Sequence, residues 1–180
     1  LNAQGQGRVL LVTGGSDALI EGLDITGGNA AGLGGGQWDG DAGGGVYITN
    51  SSPTLHDNRV FGNSTPLYGG GLYLYTGSPV MTDVTFSANT ASDGGGLYVG
   101  YGSLTLTNAT FSSNSAYRGG GMYNWAGGTF NDGHYDGVSS PTLTNVILWG
   151  NTAVLSDTQV YNRDGATAAF GYSLVQGSGG

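Results

Sequence analysis

Short groups of glycine alternate along the chain with short apolar segments, at a fixed interval. A Gly-Gly-Gly-apolar-Tyr motif starts at Gly43, Gly69, Gly94 and Gly119, so its copies are 26, 25 and 25 residues apart. A second motif, an apolar residue followed three positions later by Asn, ends at Asn63, Asn89, Asn114 and Asn151, with spacings of 26, 25 and 37. A sequence period of this size is typical of a solenoid repeat.

Between these motifs, apolar and polar residues alternate with a period of two. Residues 78–86 and 104–111 are rich in Val, Thr, Leu and Phe, which favours short β-strands. A unit of about 25 residues cannot bury its apolar face alone, whereas stacked units bury it against one another. We therefore predict an all-β fold, a right-handed single-stranded parallel β-helix of about six coils.

The repeat also divides the chain. We expect a single domain over residues 1–180, with these parts: an N-terminal arm (1–7), a first coil plus loop (8–42), regular coils (43–68, 69–93 and 94–118), a coil (119–157) carrying an inserted loop (125–138), and a degenerate last coil with a tail (158–180).

Composition narrows the functional classes. The chain has 38 Gly, no Cys, no Lys, 4 Arg and a net charge of −8. Because nucleic acids and anionic lipids are bound mainly through basic residues, we expect no nucleic-acid partner. No apolar run is long enough for a membrane-spanning helix, so we expect no membrane span. The absence of Cys is compatible with a protein exported by a bacterium.

In stacked coils, equivalent residues form columns. We interpret the column of motif asparagines (Asn63, Asn89, Asn114 and Asn151) as a structural amide ladder. Alternation places the apolar residue after each glycine triplet inward and the next residue outward. The outward column comprises Tyr47, Tyr73, Tyr98 and Tyr123, beside a second column of Tyr75, Tyr101 and Trp125.

Two interpretations of these aromatic columns remain open. Exposed, they would form a contact stripe for flat sugar rings or for a neighbouring rod. Alternatively, the inserted loop of residues 125–138 folds over them and covers them.

Two longer loops interrupt the repeat, and insertions into solenoids often carry function. The loop over residues 32–43 contains Trp38, Asp39 and Asp41, and the loop over residues 125–138 contains Asp132, His134 and Asp136. Their carboxylates are weak candidates for Ca²⁺ binding, as are Asp57 and Asp83, one coil apart. Solvated Asp in turns is the competing interpretation, and we expect no other cofactor and no other metal.

Catalysis on polysaccharides would need clustered carboxylates with a base. His56, Asp57, Arg59 and Asp83 come closest, but the column of Asp57 and Asp83 continues as neutral Asn residues, which favours turn formation. We therefore predict no catalytic residues and no enzyme, with a polysaccharide lyase or hydrolase as an alternative. An ice-binding face would need a flat, regular array of threonines, and we expect the threonines of this chain to be too irregular for one.

The paired motifs resemble the repeats of the polymorphic outer membrane protein family, which read Gly-Gly-Ala-apolar and Phe-x-x-Asn. This chain has a third Gly in place of Ala, and Val60 and Leu148 in place of Phe. The resemblance implies an exported, pectate-lyase-like β-helix used in adhesion or surface display, located outside the cell or on its surface.

A β-helix also has two open ends. Since neither terminal sequence shows a capping helix, we expect the chain either to stack end to end with itself into a filament or to form part of a longer adhesin rod. Binding of glycans through the tyrosine columns is the alternative.

Overall fold

The computed structural model describes residues 1–15, 17–127, 139–155 and 158–177. Within these residues the regular structure is β-strand, apart from one short 3-10 turn at Gln37–Asp39. The strands are short and pair in parallel with the equivalent strand one coil away.

One sheet receives one strand from each coil. Its six strands follow one another in the order β1 (Leu10–Val12), β4 (Val46–Ile48), β7 (Leu72–Leu74), β10 (Leu97–Val99), β13 (Met122–Trp125) and β16 (Val160–Arg163). We call it the first sheet. Equivalent residues pair directly, so Tyr73 lies opposite Tyr98 and Tyr98 opposite Tyr123.

The second sheet has ten strands in two adjoining ladders. One ladder contains β2 (Leu19–Glu21), β5 (Thr54–His56), β8 (Val80–Thr82) and β17 (Ala169–Gly171), and the other contains β3 (Asp24–Thr26), β6 (Arg59–Phe61), β9 (Thr85–Ser87) and β18 (Leu174–Val175). Two longer strands, β11 (Thr105–Ser112) and β14 (Thr142–Trp149), run through both ladders. A small third sheet pairs β12 (Ser115–Ala116) with β15 (Thr152–Ala153).

The glycine triplets form a corner where successive coils approach closely. The first glycine of each triplet has a positive φ, for example +69° at Gly94. A Cβ on the second glycine, Gly95, would lie 2.6 Å from the carbonyl oxygen of Ser115 in the next coil. A side chain there would push the coils apart, which explains the repeated glycines.

Inward residues of the first and second sheets form one apolar core. As predicted, the residue after each glycine triplet points inward and is fully buried, as are the residues two positions later in the first three of these repeats. Phe86 and Phe111 stack in this core with ring centroids 4.8 Å apart.

The predicted asparagine ladder runs beside the core. The Nδ2 of Asn89 donates both to Oδ1 of Asn114 at 3.0 Å and to the carbonyl of Val60 at 2.9 Å. Asn63, Asn114 and Asn151 repeat the contact with a backbone carbonyl, and Asn63 and Asn114 also donate to the next Asn. The ladder satisfies buried polar groups at a turn, so its role is structural.

Residues 1–7, expected to be a polar arm, pair instead with β3. Asn2 forms a bridge with Thr26, and the amide of Ala3 donates to the carbonyl of Thr26 at 3.1 Å. The segment therefore covers the outer edge of β3, whereas no described residue pairs with the outer edges of β1 and β2.

Candidate functional site

The main tyrosine column points away from the apolar core, as predicted, but it is buried. Tyr73, Tyr98 and Tyr123 are 1%, 2% and 1% exposed. Successive rings stack at centroid distances of 5.1 Å (Tyr73–Tyr98) and 4.7 Å (Tyr98–Tyr123), and Tyr47 and Tyr161 extend the stack. The interpretation of this column as an exposed contact stripe is wrong: the rings form a second core.

Residues before the second glycine triplet and in the first loop cover this column. The ring of Tyr68 lies 5.2 Å from that of Tyr98. The hydroxyl of Tyr47 donates to the carbonyl of Gly35 at 2.7 Å, which ties the loop of residues 32–43 to the first ring of the stack. The column is therefore covered, but the cover that the structure describes is Tyr68 and the loop of residues 32–43. Most of the loop of residues 125–138, which we expected as the alternative cover, lies outside the described residues.

The second aromatic column is continuous but only partly covered. Tyr75 and Tyr101 lie 5.4 Å apart, and Tyr101 and Trp125 lie 5.0 Å apart, each pair meeting edge to face. Trp125 is 3% exposed and donates to Asp164 at 2.6 Å. Trp38, whose ring is 6.0 Å from that of Trp125, is 67% exposed, so it presents an aromatic surface to solvent.

Asp41 organises the first loop through its carboxylate. Its two oxygens accept from the amides of Gly32 and Gly34, each at 2.9 Å, and these hydrogen bonds lower the pKa of Asp41. Arg8 donates to the carbonyls of Gly34 and Ala42 and lies over the ring of Tyr47. Asp41 thus acts as a loop-forming residue, which matches the turn interpretation.

Of the other loop candidates, Asp39 is exposed and adopts a positive φ of 57°. Asp132, His134 and Asp136 lie outside the described residues.

A partly buried ion pair supports the far end of the tyrosine stack. Arg118 contacts both oxygens of Asp93, at 2.8 and 2.7 Å, and its guanidinium lies 5.6 Å from the centroid of the Tyr123 ring. Burial raises the pKa of Asp93 while Arg118 opposes that shift, and burial also raises the pKa of Tyr98. Tyr98 therefore stays neutral at physiological pH.

The possible catalytic cluster lies on the outer face of the second sheet and is only partly assembled. His56 contacts Glu21 through Nδ1 at 2.9 Å and Asp83 through Nε2 at 3.4 Å, and all three side chains are about half exposed. Arg59 pairs instead with Asp24. The sequence analysis did not single out Glu21, although its place in the column of His56, one coil below, could have done so.

Asp57 and Asp83 occupy a turn column. Their φ angles are 52° and 57°, and Asn108 and Asn145 continue the column with 53° and 56°. Asn108 donates to Asp83 at 3.0 Å, and Asn145 donates to Asn108 at 2.7 Å. Among the described residues, no three His, Asp or Glu side chains are placed to hold a metal ion.

Comparison with known protein families gives a match over most of the chain. The family described as "right handed beta helix region" matches residues 3–134 of this chain. The chain belongs to the right-handed β-helix family. This confirms the predicted fold class, its handedness and its repeat character, and it indicates a structural or surface β-helix protein. No curated protein and no solved structure matches the chain.

The last coil of this β-helix contains a feature that sequence reasoning missed. A concavity of about 350 Å³ opens at its end. Amide and apolar side chains line it together, including Gln159, Asn162, Phe170 and Val175. The sequence feature that could have indicated this concavity is the degenerate repeat over residues 158–177, where the core columns lose their regular apolar character. None of the described residues forms a helix long and apolar enough to cross a membrane.

Proposed function

We propose that this β-helix is a structural rod outside the bacterial cell or on its surface, and that it associates end to end with further copies of itself. The observation that carries the proposal is the open last coil. Among the described residues, β16, β17 and β18 each pair with a strand of the preceding coil only, and the core between them opens into the concavity. An unpaired strand edge is a template for another strand.

The first coil offers a matching edge. β1 and β2 also pair on one side only within the described residues. β1 and β16 are the two edge strands of the first sheet, and β2 and β17 lie at the two ends of one ladder of the second sheet. We therefore expect β16 of one copy to pair with β1 of the next, and β17 with β2. Head-to-tail contacts of this kind do not close and therefore build a filament.

A non-catalytic role is part of this proposal. Asp57 and Asp83 serve turns, Arg59 pairs with Asp24, and the net charge of −8 disfavours anionic polysaccharides. These observations favour a scaffold over a lyase or hydrolase.

Electron microscopy and light scattering of the pure chain over a range of concentrations test the proposal. We expect filaments that lengthen with concentration. Phe170→Lys, on the wall of the concavity, should disperse them, whereas Tyr172→Lys, at a 96% exposed position in the same coil, should not. Monomers at every concentration, or equal dispersal by both variants, would contradict end-to-end association.

Carbohydrate binding is the second candidate, and Trp38 is the observation that favours it. Its exposed ring beside Trp125 and the partly exposed Tyr101 is a surface on which a sugar ring can stack. A titration with neutral oligosaccharides, followed by tryptophan fluorescence, should saturate in the parent and fail in Trp38→Ala. Trp149→Ala, at a 53% exposed position on β14, is the control.

A further inference from the structure

The second sheet carries a regular array of threonines on its outer face. Thr105 lies opposite Thr142, and Thr107 lies between Thr82 and Thr144 in the neighbouring column. The coil below contributes Val80 to the first column, and the next coil contributes Thr54 and His56. We call Val80, Thr82, Thr105, Thr107, Thr142 and Thr144, which come from three successive coils, the threonine face; Thr54 and His56 border it.

The sequence concealed this order because the spacing of the repeat changes. Thr107 follows Thr82 by 25 residues, but Thr144 follows Thr107 by 37. The additional residues fall before β14, so pairing between β11 and β14 stays in register from Thr105 to Ser112. Over the three coils of β8, β11 and β14, the threonines are therefore regular in space, which corrects the expectation of irregularity for this part of the sheet.

Sheet geometry fixes the spacing of these side chains in two directions. Paired strands lie about 4.8 Å apart, and residues two positions apart on one strand lie about 6.6 Å apart. Threonine is branched at Cβ and has few rotamers, so each threonine of the face presents a hydroxyl and a methyl in a restricted orientation. The lattice spacings of water molecules on the low-index faces of hexagonal ice are of similar size.

Charge also favours an uncharged partner. The threonine face carries no formal charge, although the whole chain carries −8. His56, Glu21 and Asp83 mark its border. An ionic ligand would need charges within the array, and a stacked sugar would need a Tyr, Trp or Phe ring there.

We infer that the threonine face binds the surface of ice. The hydroxyls hold water molecules at lattice positions, and the methyl groups between them exclude water that does not fit the lattice. Water-mediated contacts of this type are nearly as favourable as direct hydrogen bonds. This site lies on the side of the rod and is independent of the end-to-end association proposed above.

Partition into a slowly growing ice hemisphere tests the inference, with protein measured by ultraviolet absorbance of the melted ice. We expect the parent to be enriched in ice relative to an inert protein of equal size. Thr107→Tyr, at the centre of the face, should reduce the enrichment at least tenfold. Tyr is a good strand former, so the fold should survive the change.

Thr90→Tyr is the matched control. Thr90 is also exposed, but it bridges Ser64 and Ser115 in a different column. It should leave the enrichment unchanged. If circular dichroism shows that Thr107→Tyr disturbs the fold, Thr105→Tyr on the same face replaces it. A parent that partitions like the inert protein, or equal losses in the face and control variants, would overturn the inference.

Discussion

The outward columns of the two large sheets have opposite environments. On the first sheet the outward residues are tyrosines, and Tyr98 is 2% exposed. On the second sheet they include the threonine face, and Thr105 is exposed. Both sets follow from the same alternation of side chains along a strand. The alternation predicts which side of the sheet a residue occupies, whereas other parts of the chain determine whether that side is covered.

What covers the first sheet is a specific set of contacts. Tyr68 packs against Tyr73 and Tyr98, and the loop of residues 32–43 is held by Tyr47 and Arg8. Each buried aromatic side chain removes a large apolar area from water. The chain therefore has two cores, one inside the coils and one between the first sheet and its cover.

The largest expected effect comes from removing a ring from this second core. Tyr98→Ala should lower the free energy of unfolding by about 3–5 kcal/mol, because it leaves a cavity among the rings of Tyr68, Tyr73 and Tyr123. Thr105→Ala, at an equivalent outward position on the second sheet, should change it by about 0.5 kcal/mol or less. Urea denaturation followed by circular dichroism measures both. Equal effects of the two substitutions would mean that the tyrosine column is open to solvent in solution.

A smaller difference in the free energy of unfolding should distinguish the buried asparagine ladder, which contains Asn89, from the exposed ladder, which contains Asn108. Asn89→Ala should cost about 2–3 kcal/mol, since it leaves the carbonyl of Val60 and the side-chain amide of Asn63 without their partner in a buried site.

Asn108 is the matched position in the exposed ladder. Asn108→Gly keeps the positive φ of 53° and removes only exposed hydrogen bonds, so we expect a loss of about 0.5 kcal/mol or less. Thermal unfolding of both variants provides the comparison. A loss at Asn108 as large as that at Asn89 would show that the exposed ladder also holds the coils together.

The repeat made much of the fold predictable. Residues such as Leu97 and Asn114 recur with the coil, so their columns and their inward direction follow from the period alone. The covering loop and the end of the last coil do not repeat. The hydrogen bond from Tyr47 to Gly35 and the exposure of Phe170 depend on contacts that occur once, and a period carries no information about them. The threonine face was missed for a related reason, because an insertion changed the spacing without changing the register.

The smallest expected effect concerns the cover itself and its response to pH. Hydrogen bonds from the amides of Gly32 and Gly34 lower the pKa of Asp41 in the folded chain. A lowered pKa means that the ionised carboxylate stabilises the loop above the ordinary pKa of Asp, and that this contribution is lost as the pH falls through the lowered value. The amide proton shifts of Gly32 and Gly34, followed by NMR, should therefore titrate together, with a midpoint below that of an unperturbed Asp.

Asp41→Asn provides the control for this titration. Asn retains the size of the side chain but has one acceptor oxygen in place of two, so one of the two glycine amides loses its partner. The coupled titration should vanish, and the Tyr47 hydroxyl should exchange faster because the loop that holds Gly35 is loosened. The strands that carry the threonine face pair with one another and not with residues 32–43. The resonances of the threonine face should therefore stay unchanged. Shifts that spread to Thr107 would show that the two faces respond as one unit, and the contrast between a covered and a bare face would then have to be abandoned.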